Sequence, residues 1–138
     1  LAASVEFEDD NGQVVRYVRH ANGGGLVSPR ARVHEAASVA STAYVEAGAQ
    51  VGDRSRIGEG SWVDHDVIVG EEVVVAANVH LGPRTRAEDG TWIGRGARVG
   101  SDVVIGRGAR VAPDAVVPDA AVLRRRTGSG RSEFGIAA

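Results

Sequence analysis

The sequence predicts an all-β chain, wound into a parallel β-solenoid of about five to six triangular coils and preceded by an N-terminal β-hairpin. Three observations carry that expectation. Counting in sixes from Val27 meets Val33, Val39, Val45, Val51, Ile57, Val63, Val69, Val75, Leu81, Ala87, Ile93, Val99, Ile105, Val111, Val117 and Leu123 without a break. Fourteen of these seventeen positions are Val or Ile. Helices repeat their apolar residues about every 3.6 positions and strands about every two, so a strict six requires a winding repeat. A second row lies two residues earlier, from Ala31, Ala37, Ala43 and Ala49 through Ser55, Ser61 and Val67 to Ala121, and every member is small or β-branched. Three residues after the main row come Gly48, Gly60, Asp66, Asn78, Gly90, Gly96, Asp102, Gly108 and Asp114. Gly, Asn and Asp tolerate positive φ, so this column marks the bends between flat faces.

Taken in order, Ser4–Glu8 alternates polar and apolar residues, Asn11-Gly12 is hairpin-turn chemistry, and Gln13–Arg19 is rich in β-branched and aromatic residues. His20-Ala21-Asn22-Gly23-Gly24-Gly25 reads as a flexible joint, because glycine runs leave the backbone free. Residues 1–25 are therefore expected to form a hairpin and joint, 26–123 the solenoid, and 124–138 a charged cap and tail. Arg124-Arg125-Arg126 would protect the terminal sheet edge from pairing with other chains, and Phe134 and Ile136 are the anchors available to the tail. The chain opens on Leu1 rather than Met, so an upstream segment is expected.

Composition narrows the chemistry. The chain has 138 residues, 43 % of them apolar, with only two each of Phe, Tyr and Trp, so its core must be aliphatic. A solenoid suits that, since stacked rows of small residues fill its narrow interior. A net charge of −2 gives no general attraction to nucleic acid or to an anionic membrane. All sixteen basic residues are Arg, which removes lysine Schiff-base chemistry, and the absence of Cys removes thiolate catalysis and Cys-rich metal sites. No apolar run reaches the roughly 18 residues of a membrane span, and no signal-peptide pattern opens the sequence. The cytoplasm is the expected location.

With three hexads to a coil, residues 18 apart stack at about 4.8 Å, and the outward residues fall into columns. One reads Leu26, Tyr44, Trp62, His80, Arg98, Val116; the others carry Ile68 and Val104, and Val74, Trp92 and Arg110. Outward aromatic and aliphatic residues in register suggest an interface, so a homotrimer is expected.

The repeat [LIV]-[GAED]-x-x-[STAV]-x resembles that of the bacterial hexapeptide-repeat transferases and covers roughly 70 % of the chain. The resemblance implies a left-handed parallel β-helix and transfer of an acyl group from acetyl-CoA or a related thioester to a small hydroxyl or amine acceptor. It also implies a histidine base near a subunit groove, and His80, between Trp62 and Arg98, is the residue in that place. Trp92–Val99 and Val111–Val117 look like the donor-binding end of acetyltransferase members. Small residues at Gly58, Ala76 and Gly94 would form a smooth strip for the donor arm, with Arg95 and Arg110 for its phosphates. No loop interrupts the hexads to wall an acceptor pocket, and Pro118-Asp119 leads to the Arg triplet rather than to a family Gly-x-Pro segment. These departures keep a second reading open, a non-catalytic trimeric scaffold or assembly module. The γ-class carbonic anhydrases share the fold, but five residues after His65 stands Gly70, so their His-x-x-x-x-His pair is missing and no metal site is expected. Asp64, His65 and Asp66 read as a solvated corner.

Overall fold

A computed structural model describes residues 4–126; the tail with Phe134 and Ile136 lies outside the described residues. β1 (Ser4–Glu8) and β2 (Val14–Arg19) form the antiparallel hairpin, with Val5 opposite Tyr17. From β3 (Leu26–Val27) onward, seventeen two-residue strands recur every six residues to Val122–Leu123. Strands three apart pair in parallel, so Tyr44 lies beside Trp62 and Trp62 beside His80. The strands stack into sheets of eight, six and five, which are the three faces of the solenoid. Among the described residues there is no helix, and so none long and apolar enough to cross a membrane.

Two-residue strands arise because each hexad alternates once, outward then inward, and then bends. The inward row is buried from Val39 to Leu123, whereas Val27 and Val33, in the first coil, are only half-buried. Most bends are closed by a backbone hydrogen bond. The Ala49 N–H donates to the Glu46 carbonyl at 3.2 Å across Gly48, whose φ of +81° suits the third position of a type II turn. Every sixth residue from Gly48 to Ala120 has positive φ, and four of them, Arg54, Glu72, Arg84 and Ala120, lack the side chains that favour it. The winding imposes that conformation, at a cost of roughly 1 kcal/mol each. Ion pairs stacked along two corners accompany it, Arg84 with Asp102 at 2.8 Å and Arg54 with Glu72 at 3.5 Å.

The polar members of the second row have a structural use. Ser61 Oγ donates to the Ala76 carbonyl (2.6 Å) and accepts from the Val79 N–H (3.0 Å), so it bridges a turn in the next coil. Ser55 and Thr85 repeat the arrangement at Gly70 and Val73 and at Gly100 and Val103. All three are fully buried, yet each hydroxyl is satisfied as donor and acceptor.

The glycine joint is not loose. The Gly25 N–H donates to Val39 O, the Val39 N–H to Asn22 O, and a ring nitrogen of His20 bonds Ala37 O at 2.8 Å. A Cβ at Gly25 would lie 2.1 Å from the Val39 side chain. Glycine is needed there for close approach to the first coil, rather than for freedom. β2 then pairs antiparallel with β3, which makes the hairpin an extension of the eight-stranded sheet. At the other end Arg124–Arg126 form no strand, and the Arg125 side chain packs near the corner at Gly108.

Candidate functional site

On the eight-stranded face the outward column reads as expected, and the His80 ring stacks flat on Trp62 at 4.3 Å between centroids and 13° between planes. The corner that follows differs from its reading as solvated. His65 and Asp66 are exposed, but Asp64 is only 7 % exposed and is the hub of the site. Asp64 Oδ2 bonds His80 Nε2 at 2.9 Å, and Oδ1 bonds both the backbone N–H and Nδ1 of His65, each at 2.8 Å. The reason is geometric. The residue just after an inward position lies beneath the outward residue sixteen positions later on the next coil. That diagonal operates twice, since Glu46, one coil earlier, accepts from Trp62 Nε1 at 2.8 Å. An acidic residue after the row, with a ring N–H donor sixteen residues on, was the signal available in the sequence.

Burial is the largest influence on Asp64 and favours its neutral form, but hydrogen bonds from His80 and His65 outweigh it and hold the carboxyl below its ordinary range. An ionised carboxylate only accepts, so His65 carries its proton on Nδ1 and His80 on Nε2 when each ring is neutral. That leaves His65 Nε2 and His80 Nδ1 as bases. The His65 side chain is 55 % exposed and that of His80 34 %. Glu46, also buried, accepts from Tyr17 Oη (2.8 Å) through its other oxygen. Burial first, then the bond to Glu46, pushes the Tyr17 phenol well above its usual pKa, so it remains a donor.

Below His80 the same face carries an open groove of about 600 Å3, lined by Gly82, Pro83, Arg98, Gly100 and Val116 among others. The small-residue strip lies along the opposite edge of this face, and its glycines serve the stacking of coils. A Cβ at Gly58 would lie 2.6 Å from the Ala76 backbone, and one at Gly94 2.5 Å from Pro113 N. Arg95 is exposed, while Arg110 sits on the five-stranded face with its guanidinium 5.4 Å from the Trp92 ring centroid. The structure thus brings Asp64, His65 and His80 together, and leaves Arg95 and Arg110 away from them. Among the described residues no group of three His, Cys, Asp or Glu is arranged to hold a metal ion.

Residues 88–119 match the family model for the bacterial transferase hexapeptide (six repeats). No curated protein matches the sequence. Among solved structures, the chain is similar to PerB from Caulobacter crescentus in complex with CoA and GDP-perosamine, at 24 % identity and a TM-score of 0.71, over 72 % of this chain and 48 % of that one. The acetyltransferase domain of PglB from Neisseria gonorrhoeae gives 24 % identity and a TM-score of 0.70 over 78 % of this chain and 52 % of its own. In complex with acetyl coenzyme A the same domain gives 25 % and 0.54, over 72 % and 53 %. The chain therefore spans about half the length of the structures it matches.

Proposed function

We propose that this hexapeptide-repeat β-solenoid transfers an acyl group from a CoA-type thioester to a small hydroxyl or amine acceptor. One observation carries the reading: a buried carboxylate orients two imidazoles, each with one free nitrogen, and one of them, His80, lines an open groove. A general base needs a fixed tautomer and a free nitrogen that reaches the acceptor. His65 meets this best, because Nδ1 is held by Asp64 and Nε2, at the far end of the ring, faces outward. His80 is the second candidate; its bonded nitrogen is the distal one, and Trp62 covers one ring face.

In the reaction the base accepts the acceptor's proton as its oxygen or nitrogen attacks the thioester carbonyl. The tetrahedral adduct then collapses, the carbon–sulfur bond breaks, and the thiolate takes the proton from the imidazolium. Asp64 holds the imidazolium throughout. We assign the donor arm to the groove past Gly82 and Gly100, which begins at His80. The alternative path, along Gly58, Ala76 and Gly94 with phosphates at Arg95 and Arg110, predicts that Arg110→Ala weakens donor binding; the groove path predicts no change. The similarity to structures containing CoA or acetyl-CoA supports the donor class.

We further propose a homotrimer, with Trp62, Ile68, Trp92 and Val104 as outward contacts. Tyr44 drops out of that set, because Tyr17 and Phe7 of the hairpin pack against it at 5.4 and 6.5 Å. Sedimentation equilibrium showing a monomer at micromolar concentration would refute this.

Calorimetry with acetyl-CoA tests the donor, followed by thiol release across a panel of amino and hydroxyl acceptors. His65→Ala is expected to lower turnover by roughly two to four orders of magnitude with donor affinity retained. If only His80→Ala does so, His80 is the base. No binding at millimolar acetyl-CoA by folded protein would favour the scaffold reading, which the strand register, unbroken by any loop, supports.

A further inference from the structure

We infer that Glu46 is a positioning residue for the imidazole pair, and that through Tyr17 the N-terminal hairpin is part of the site. The inference rests on the proposed reaction for its kinetic consequence, but its structural content is independent. Glu46 is 8 % exposed, and its two oxygens are divided between two neutral donors, Tyr17 Oη and Trp62 Nε1, both at 2.8 Å. A buried carboxylate is costly unless hydrogen-bonded, so both donors are held to it firmly. The indole has one N–H, and anchoring it fixes the rotation of the ring about its side-chain bonds. That ring is the surface on which His80 lies flat, and the stacked imidazole points Nε2 at Asp64. Asp64 in turn orients His65.

The series Tyr17, Glu46, Trp62, His80, Asp64, His65 is therefore continuous, each member touching the next. It starts on β2 and ends at the exposed base. Phe7 on β1 packs edge-on against Tyr17 at 5.8 Å, and Tyr44 does the same at 5.4 Å, so the phenol cannot swing away from Glu46 without breaking an aromatic cluster. Trp62 would otherwise be a large outward ring, 43 % exposed and free to choose among rotamers.

Nuclear magnetic resonance of the imidazole nitrogens and ring protons reads the effect directly, with His80→Ala and His65→Ala supplying assignments. Glu46→Leu is expected to release the indole, so the His80 ring protons lose their upfield ring-current shift. Glu46→Gln keeps an acceptor for Trp62 Nε1 and should restore most of that shift. Tyr17→Phe, nearly isosteric, should move the same signals in the same direction by less, and serves where Glu46→Leu does not fold. In the kinetic arm, Glu46→Leu should lower kcat by roughly 10- to 100-fold, with a much smaller change in KM for the donor. Unchanged His80 ring shifts in folded Glu46→Leu, or in Tyr17→Phe should the former not fold, would overturn the inference. If the wild-type protein transfers no acyl group, the resonance arm still decides the positioning, and only the proposed reaction fails.

Discussion

Replacing Asp64 by Asn isolates what the carboxylate contributes. The amide oxygen of Asn can keep both bonds from His65, its backbone N–H and Nδ1–H. The amide nitrogen then faces His80 Nε2, where two donors meet. His80 can escape only by moving its proton to Nδ1, and all three bonds at this position change from charge-assisted to neutral. A bond to a charged group contributes about 1.5–3 kcal/mol and a neutral one about 0.5–1.5, so each bond loses about 1 kcal/mol and the three together about 3 kcal/mol at neutral pH. The loss should depend on pH. Asp64 has a lowered pKa in the folded chain, so its contribution is present above the ordinary carboxylate pKa near 3.8 and disappears as pH falls through the folded value. Urea unfolding of both proteins from pH 7 to pH 3, at one fixed protein concentration, should show their stabilities converging in acid. A constant difference over that range, or a His80 that keeps its proton on Nε2 in the variant, would refute the reasoning.

Three other outcomes follow from the packing. Val75→Asp places a charge at a side chain 1 % exposed and should cost at least about 4 kcal/mol, whereas Val5→Asp on the hairpin should cost far less; comparable losses in thermal melts would make the hairpin part of the core. Ser61→Ala removes the bridge between Ala76 O and Val79 N and should cost about 1–2 kcal/mol with faster hydrogen exchange at Val79, unless the turn closes directly as at Ala43. Tyr17 keeps its proton in the folded chain, so stability should fall as pH rises past the ordinary tyrosine pKa near 10, where the unfolded phenol ionises; Tyr17→Phe should lack that component in an alkaline unfolding series.

The winding was legible because its causes are local. An inward residue every six positions and a positive φ three residues later both leave marks in composition, and Val39 or Asn78 could be placed from those marks alone. The stacking of Trp62, His80 and Arg98 followed from counting eighteen. Asp64 was misread because its surroundings come from the next coil: as part of Asp64-His65-Asp66 it looks like any polar bend, and only the sixteen-residue diagonal buries it. Gly25 and Gly58 illustrate the opposite difficulty. In sequence a glycine signals a joint or a smooth surface, whereas here a neighbouring backbone or side chain occupies the space a Cβ would need. Tyr44 pointed outward as expected, but the hairpin covers it, a tertiary contact that no hexad count contains.

The eighteen-residue coil also constrains how such a chain can change length. Deleting residues 84–101 would join Pro83 to Asp102 in the same phase, removing one storey of the groove while Asp64 stayed opposite His80. Deleting only six, residues 70–75, would also preserve the inward row, and the chain could still wind. His80 would then land on the five-stranded face, a third of a revolution from Trp62 and Asp64. Such a protein can gain or lose height with little consequence for its chemistry. A far smaller slip in phase separates the histidine from its carboxylate, while the hydrophobic pattern registers no fault.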